Sequence, residues 1–129
     1  GEVVGGYPSM ARILVVDDSA FARHRIQQLL EAGDHEVVGT AANGGEALRV
    51  YRELEPDLIT LDHVMDDTPG EAVLKQILEA NPEARVIMIS GSNDSSLKQR
   101  VLKAGARAFV EKFSTRTELV NVVGKVLSQ

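Results

Sequence analysis

The chain has 129 residues, enough for one compact domain and too few for two ordinary ones. Hydrophobic residues make up 43% and aromatics 4%, which argues against disorder and requires an aliphatic core. A net charge of −5 argues against nonspecific binding to nucleic acid or anionic membrane, and the lack of cysteine removes disulfides and thiolate metal sites.

No apolar run approaches the length of a transmembrane helix, and no signal-peptide pattern is present. The cysteine-free composition is compatible with a reducing cytoplasm. Residues 1–9 hold three glycines and a proline with no strand or helix period, and read as a vector-derived or disordered leader set apart from the fold. The domain is expected over residues 10–129.

Strand and helix patterns then alternate without a break. The first strand is predicted over Arg12–Val16. A helix follows from about Ser19 to Ala32, with Phe21, Ile26, Leu29 and Leu30 on its apolar stripe and Gly33 ending it. Glu36–Thr40 is a short second strand. Asn43 and Glu46 form a capping-box pair for a second helix running to about Leu54. Pro56 opens the third strand, which Asp62 ends, and Pro69 and Gly70 punctuate a loop before the helix Glu71–Ala80. The fourth strand is Arg85–Ser90. Asn93 or Asp94 starts the next helix, which Gly105 ends. The fifth strand is Arg107–Glu111, and Thr115 with Glu118 caps a last helix ending near Leu127. Five such units make an α/β, doubly wound (βα)5 parallel sheet.

In an open parallel sheet, ligands collect outside the carboxyl ends of the strands. Asp17 and Asp18 end the first strand and Asp62 the third, so three carboxylates meet at one edge. Taken alone, the Asp17–Asp18 pair serves helix capping and metal binding equally well. Asp62 tips the balance toward metal, and an oxygen-only acidic pocket calls for a hard ion such as Mg2+. Ser90 ends the fourth strand and Lys112 follows the fifth. A carboxylate nucleophile, a divalent ion and an ammonium are together suited to attack on phosphorus and to neutralising the oxygens of a moving phosphoryl group.

The segments Ile13–Ser19, Ala42–Leu48, Pro56–Asp62, Gly70, Ile89–Gly91 and Ala104–Ala106 through Phe109 to Lys112 occur in the order and at the spacing of a known family. In these segments the chain resembles the response-regulator receiver domains of two-component systems, the single-domain chemotaxis regulators among them. The resemblance implies a flavodoxin-like sheet of order 2-1-3-4-5. It implies that Asp62 is the phosphoacceptor, that Asp18 and Asp17 bind Mg2+ directly and through water, and that the Val64 carbonyl completes the protein's share. Ser90 takes the place of the switch hydroxyl, Phe109 that of the switch aromatic, and Lys112 that of the phosphoryl-pairing lysine.

Partners implied by the resemblance are a sensor histidine kinase or phosphotransfer protein upstream. Downstream it implies a protein target or a homodimer, met through the face of the fourth helix, fifth strand and last helix. The resemblance implies no direct nucleic-acid contact, no membrane and a cytoplasmic location. Transfer and hydrolysis would be self-catalysed, so the protein is read as a switch and not an enzyme.

The chain also departs from the family pattern. Phe113 stands where proline usually follows the lysine through a cis bond; a cis bond without proline costs about 3–4 kcal/mol, so a trans Lys112–Phe113 peptide is expected. That departure puts the reach of Lys112 in question. The missing proline and the extra Asp66 together motivate the alternative of a degenerate receiver that acts by protein contact without phosphorylation.

Asp66 and Asp67 are expected to be solvated loop acids, and His63 a half-buried, hydrogen-bonded residue facing away from Asp62. His24 and His35 are too scattered for a site, and Lys98, Arg100, Lys103 and Arg107 read as a solvated basic face. A flavodoxin-like cofactor binder fits poorly, because the acids after the first strand would repel a phosphate there. A haloacid-dehalogenase-type phosphatase lacks its second Asp, with Val64 in that place.

Overall fold

A computed structural model describes residues 10–129, so the expectation for residues 1–9 lies outside the described residues. Ten elements alternate along the chain. They are β1 (Arg12–Val16), α1 (Ala20–Ala32), β2 (Glu36–Ala41), α2 (Gly44–Leu54), β3 (Leu58–Asp62), α3 (Gly70–Ala80), β4 (Val86–Ser90), α4 (Ser95–Ala104), β5 (Ala108–Glu111) and α5 (Arg116–Leu127). The strands form one parallel sheet in the order β2-β1-β3-β4-β5, the flavodoxin-like order expected.

The central strands β1, β3 and β4 are covered on both faces, which explains their unbroken apolar runs. Alternate side chains divide between two cores. Leu14, Val16, Ile59, Leu61 and Met88 pack with Ala47, Val50, Leu74, Ile77 and Val101 on the side of α2, α3 and α4. Ile13, Val15, Leu58, Ile87 and Ile89 pack with Ile26, Leu30, Leu119 and Val123 on the side of α1 and α5. Sheet register follows from this split, because a slip of one residue would exchange the two sets.

Helix boundaries follow their caps. Ser19 accepts from the Ala22 N–H, Asn43 from Glu46, Asp94 from Ser96 and Leu97, and Thr115 from Glu118. Gly105 ends α4 at φ 118°, a conformation that disfavours any residue with a Cβ. One expectation for α1 fails. Phe21 is 70% exposed, and the buried stripe is Ala22, Ile26 and Leu30. Phe21 belongs to the first helical turn, one position off the stripe, so its ring leaves the core for solvent. The strands begin one or two residues later than expected at β3, β4 and β5, while β2 runs one residue longer, to Ala41.

Candidate functional site

The carboxyl ends of β1 and β3 lie side by side, with Val16 paired to Leu61, so the residues that follow converge. Asp17 and Asp62 are almost completely buried, and Asp18 is the most open of the three acids. One carboxylate oxygen from each of Asp17, Asp18 and Asp62 lies within 4.8 Å of the other two.

Local bonds hold these acids in place. The Ser19 N–H donates to Asp17 Oδ1 at 2.9 Å, so Asp17 contributes to the turn into α1. Arg23 reaches back from that helix to the Asp17 carbonyl at 2.7 Å. Asp17 Oδ2 is buried and accepts no hydrogen bond, although the Lys112 ammonium stands 3.0 Å away. A buried carboxylate oxygen that meets only one ammonium and shares its pocket with two more carboxylates suits a hard divalent ion. The donor set therefore fits Mg2+.

Lys112 reaches the acids from the end of β5. Its Nζ lies 3.2 Å from Asp17 Oδ1 and 3.3 Å from Asp62 Oδ2. Its backbone N–H donates to the Ser90 carbonyl at 2.7 Å, which extends the β4–β5 pairing past Glu111 and aims the side chain at the site. Among the described residues no peptide bond is cis, so the Lys112–Phe113 bond is trans as expected.

Burial and neighbouring charge set the proton affinities. Burial, then the charges of Asp17 and Asp18, push the Asp62 carboxyl up to about 6 against the opposing pull of Lys112. For Lys112, burial works to lower the pKa. The hydrogen bond to Asp17 and the charges of Asp62 and Asp17 outweigh it, and the ammonium is held above its ordinary value. Three acids against one lysine leave the pocket short of positive charge.

The chain's likeness to known proteins agrees with this geometry. The family model described as "Response regulator receiver domain" matches residues 13–124. The chain belongs to the response regulator receiver family. The chemotaxis protein CheY of Thermotoga maritima is 35% identical over 115 residues, covering 89% of this chain and 96% of that protein. CheY of Bacillus subtilis is 37% identical over 117 residues, covering 91% and 98%. Among solved structures, the CheX–CheY–BeF3–Mg2+ complex from Borrelia burgdorferi is similar at a TM-score of 0.86 and 33% identity, covering 94% of this chain and 90% of that chain. The chain is thus a receiver domain of two-component signalling, a signalling module.

Other expected site residues of the receiver domain sit nearby. Ser90 is buried one position beyond Ile89, the β4 partner of Asp62. Its hydroxyl accepts from the Ser92 N–H at 3.1 Å. Phe109, opposite Met88 in β5, is half-buried against the core on the α2–α3–α4 side. Val64 lies in the loop after Asp62 and is 68% exposed.

One loop residue does more than composition suggested. Asp67 is not simply a solvated acid. Its carboxylate accepts from the Gly44 N–H at 2.9 and 3.1 Å and from the Gly45 N–H at 3.3 Å. It therefore caps α2 from the β3–α3 loop, and the Gly44 hydrogen bond leads the interactions that lower its pKa. Spacing cannot reveal a cap supplied from 22 or 23 residues away. His63 is half-buried as expected, with Nε2 3.2 Å from Glu71 Oε1. His35 is buried, and its Nδ1 accepts from the Ala11 N–H at 3.1 Å. No helix among the described residues is long and apolar enough to cross a membrane.

Proposed function

We propose that this receiver domain accepts a phosphoryl group on Asp62 from the phosphohistidine of a sensor histidine kinase or phosphotransfer protein. The observation that carries the reading is the buried Asp62 carboxylate, clustered with Asp17 and Asp18 and held by the Lys112 ammonium, which also contacts Asp17. Asp17, Asp18 and Asp62, with the Val64 carbonyl, would hold Mg2+. That ion would supply charge neutralisation for the phosphoryl oxygens.

In the transfer, an Asp62 carboxylate oxygen forms a bond to phosphorus while the donor's nitrogen–phosphorus bond breaks, and the electron pair stays on the imidazole. Lys112 already pairs with Asp62, so it needs no long movement to bind a phosphoryl oxygen of the product. Ser90 would turn its hydroxyl from the Ser92 N–H toward the new anion, and Phe109, one strand over, would follow into the space left. Their movement would alter the α4–β5–α5 face, which meets a protein target or a second copy of the chain. Later hydrolysis returns the site to its first state. The output is a change in partner affinity, with no direct contact to nucleic acid or membrane, in the cytoplasm. Pairing of Lys112 with Asp62 weakens one of the two motives for a phosphorylation-independent receiver, the missing proline.

Incubation with acetyl phosphate, with and without Mg2+, followed by intact-mass measurement tests the reading. The expected result is a gain of one phosphoryl group that needs Mg2+ and is absent in Asp62→Asn. A gain that persists in Asp62→Asn overturns the acceptor assignment. Failure of folded, Mg2+-bound protein to gain mass overturns the function.

A further inference from the structure

Outside the acidic pocket, three side chains form a continuous polar path from the acceptor strand to α4. His63 Nε2 lies 3.2 Å from Glu71 Oε1. Arg100 grips both oxygens of that carboxylate, with Nη2 2.8 Å from Oε1 and Nε 3.3 Å from Oε2. His63 directly follows Asp62, Glu71 is the second residue of α3, and Arg100 lies in the middle of α4. Among the described residues, the Glu71–Arg100 pair is the only polar side-chain contact between α3 and α4.

The start of α3 has no slack against the acceptor strand. The Gly70 N–H donates to the His63 carbonyl at 2.8 Å. A Cβ at Gly70 would stand 2.4 Å from the Asp62 carbonyl oxygen and 2.8 Å from His63 Cα, so only glycine allows this approach. A shift of the Asp62–His63 backbone must therefore carry Gly70 and Glu71 with it. The guanidinium fork of Arg100 holds both carboxylate oxygens in a fixed plane, so it transmits orientation as well as charge. The hydrogen bond from Arg100, with that from His63, holds the Glu71 carboxyl below its ordinary range, so it stays ionised.

We propose that Glu71 is a positioning residue which, by holding His63 and Arg100 at once, makes the placement of α4 depend on the conformation of the acceptor segment. The inference rests on the phosphoacceptor reading for its biological use, and adds a path to α4 separate from Ser90 and Phe109. The pair is substantially exposed, with side-chain exposures of 55% for Arg100 and 37% for Glu71. It thus biases a two-state balance a few-fold rather than holding the fold together.

Backbone and imidazole NMR of the full chain, with Arg100→Ala, Arg100→Lys and Glu71→Gln, tests the coupling. Arg100→Ala is expected to shift the His63 ring signals and the amides of His63, Gly70 and Glu71. Arg100→Lys should recover part of the change, and Glu71→Gln should speed hydrogen exchange across 95–104 about two- to five-fold. Shifts in Arg100→Ala confined to α4 would overturn the proposal, since loss of local packing alone does not reach an imidazole on another element.

A second arm compares α4 exchange before and after acetyl phosphate labelling. The difference seen in the parent chain is expected to shrink in Glu71→Gln, and an undiminished difference overturns the proposal. Absence of any label on the parent chain would instead defeat the phosphoacceptor reading, while the first arm still decides the coupling.

Discussion

The Lys112 ammonium lies 3.3 Å from Asp62 Oδ2 even though Phe113, joined by a trans peptide, occupies the place where the family usually has proline. Its reach comes from the strand behind it. The Lys112 N–H is tied to the Ser90 carbonyl, so the β4–β5 pairing sets the exit direction of the side chain. The contact with Asp17 fixes the lysine from a second side.

Replacing Lys112 with Met removes the one cation among the described residues that pairs with these carboxylates. Its charge and hydrogen bond both oppose the raised proton affinity of Asp62, so the Asp62 carboxyl is expected to titrate above its present value of about 6. Phosphoryl transfer from acetyl phosphate should slow by about 100-fold, the order found when one donor to a developing anion is lost. Carboxyl carbon NMR and timed mass labelling read the two effects. An unchanged labelling rate would remove Lys112 from the reaction.

The raised Asp62 pKa has a stability consequence with a definite sign. The folded carboxyl at about 6 lies above its ordinary value of 3.8, so between these pH values the folded state binds more protons than the unfolded chain. Without divalent ions, stability is then greatest at the acid end of this window and falls as the pH rises through about 6. Asp62→Asn should flatten that fall and raise the urea midpoint at pH 8. Saturating Mg2+ should raise the parent's midpoint at pH 8, because an ion held by Asp17, Asp18 and Asp62 would favour the folded state, where these acids are assembled. Equal midpoints with and without Mg2+ would speak against the metal assignment.

Thr60 lies in β3 between Leu58 and Asp62, buried, and its Oγ1 has no hydrogen-bond partner. Desolvating a hydroxyl without a partner is unfavourable. Thr60→Val keeps the shape and removes the polar atom, so it should stabilise the protein by about 1 kcal/mol. Urea denaturation measures this, and a loss of stability would mean that the hydroxyl has a partner in solution.

His35 accepts the Ala11 N–H through Nδ1, which requires a neutral ring. Burial lowers its pKa, with the charge of Asp34 opposing. A histidine with a depressed folded pKa contributes stability above its ordinary value of 6.5, and that stability drains as the pH falls below it. The imidazole should titrate below 6.5 by NMR, and His35→Leu should lose the histidine's part of the acid sensitivity. Titration above 6.5 would refute the assignment.

Much of the site was legible because its residues end strands. The runs Ile13–Val16 and Leu58–Leu61 are apolar for reasons of burial, so the acids that close them stand out. Ser90 and Lys112 follow the same logic at β4 and β5. Asp67 and Glu71 were not legible, because their partners Gly44 and Arg100 lie 23 and 29 residues away on other helices. Phe21 was misread because helical spacing places a ring near the stripe, while only the packed sheet shows where the stripe ends.

By itself, the sequence determined the alternation of strands and helices, the caps at Asn43 and Thr115, and the strand-end acids. All of these depend on periodicity or on groups a few residues apart. Only the tertiary structure decided that Lys112 reaches Asp62, that Asp67 caps α2, and that Glu71 bridges His63 and Arg100. These contacts depend on the directions in which separate elements leave the sheet, and those directions are set by packing between residues far apart in the chain.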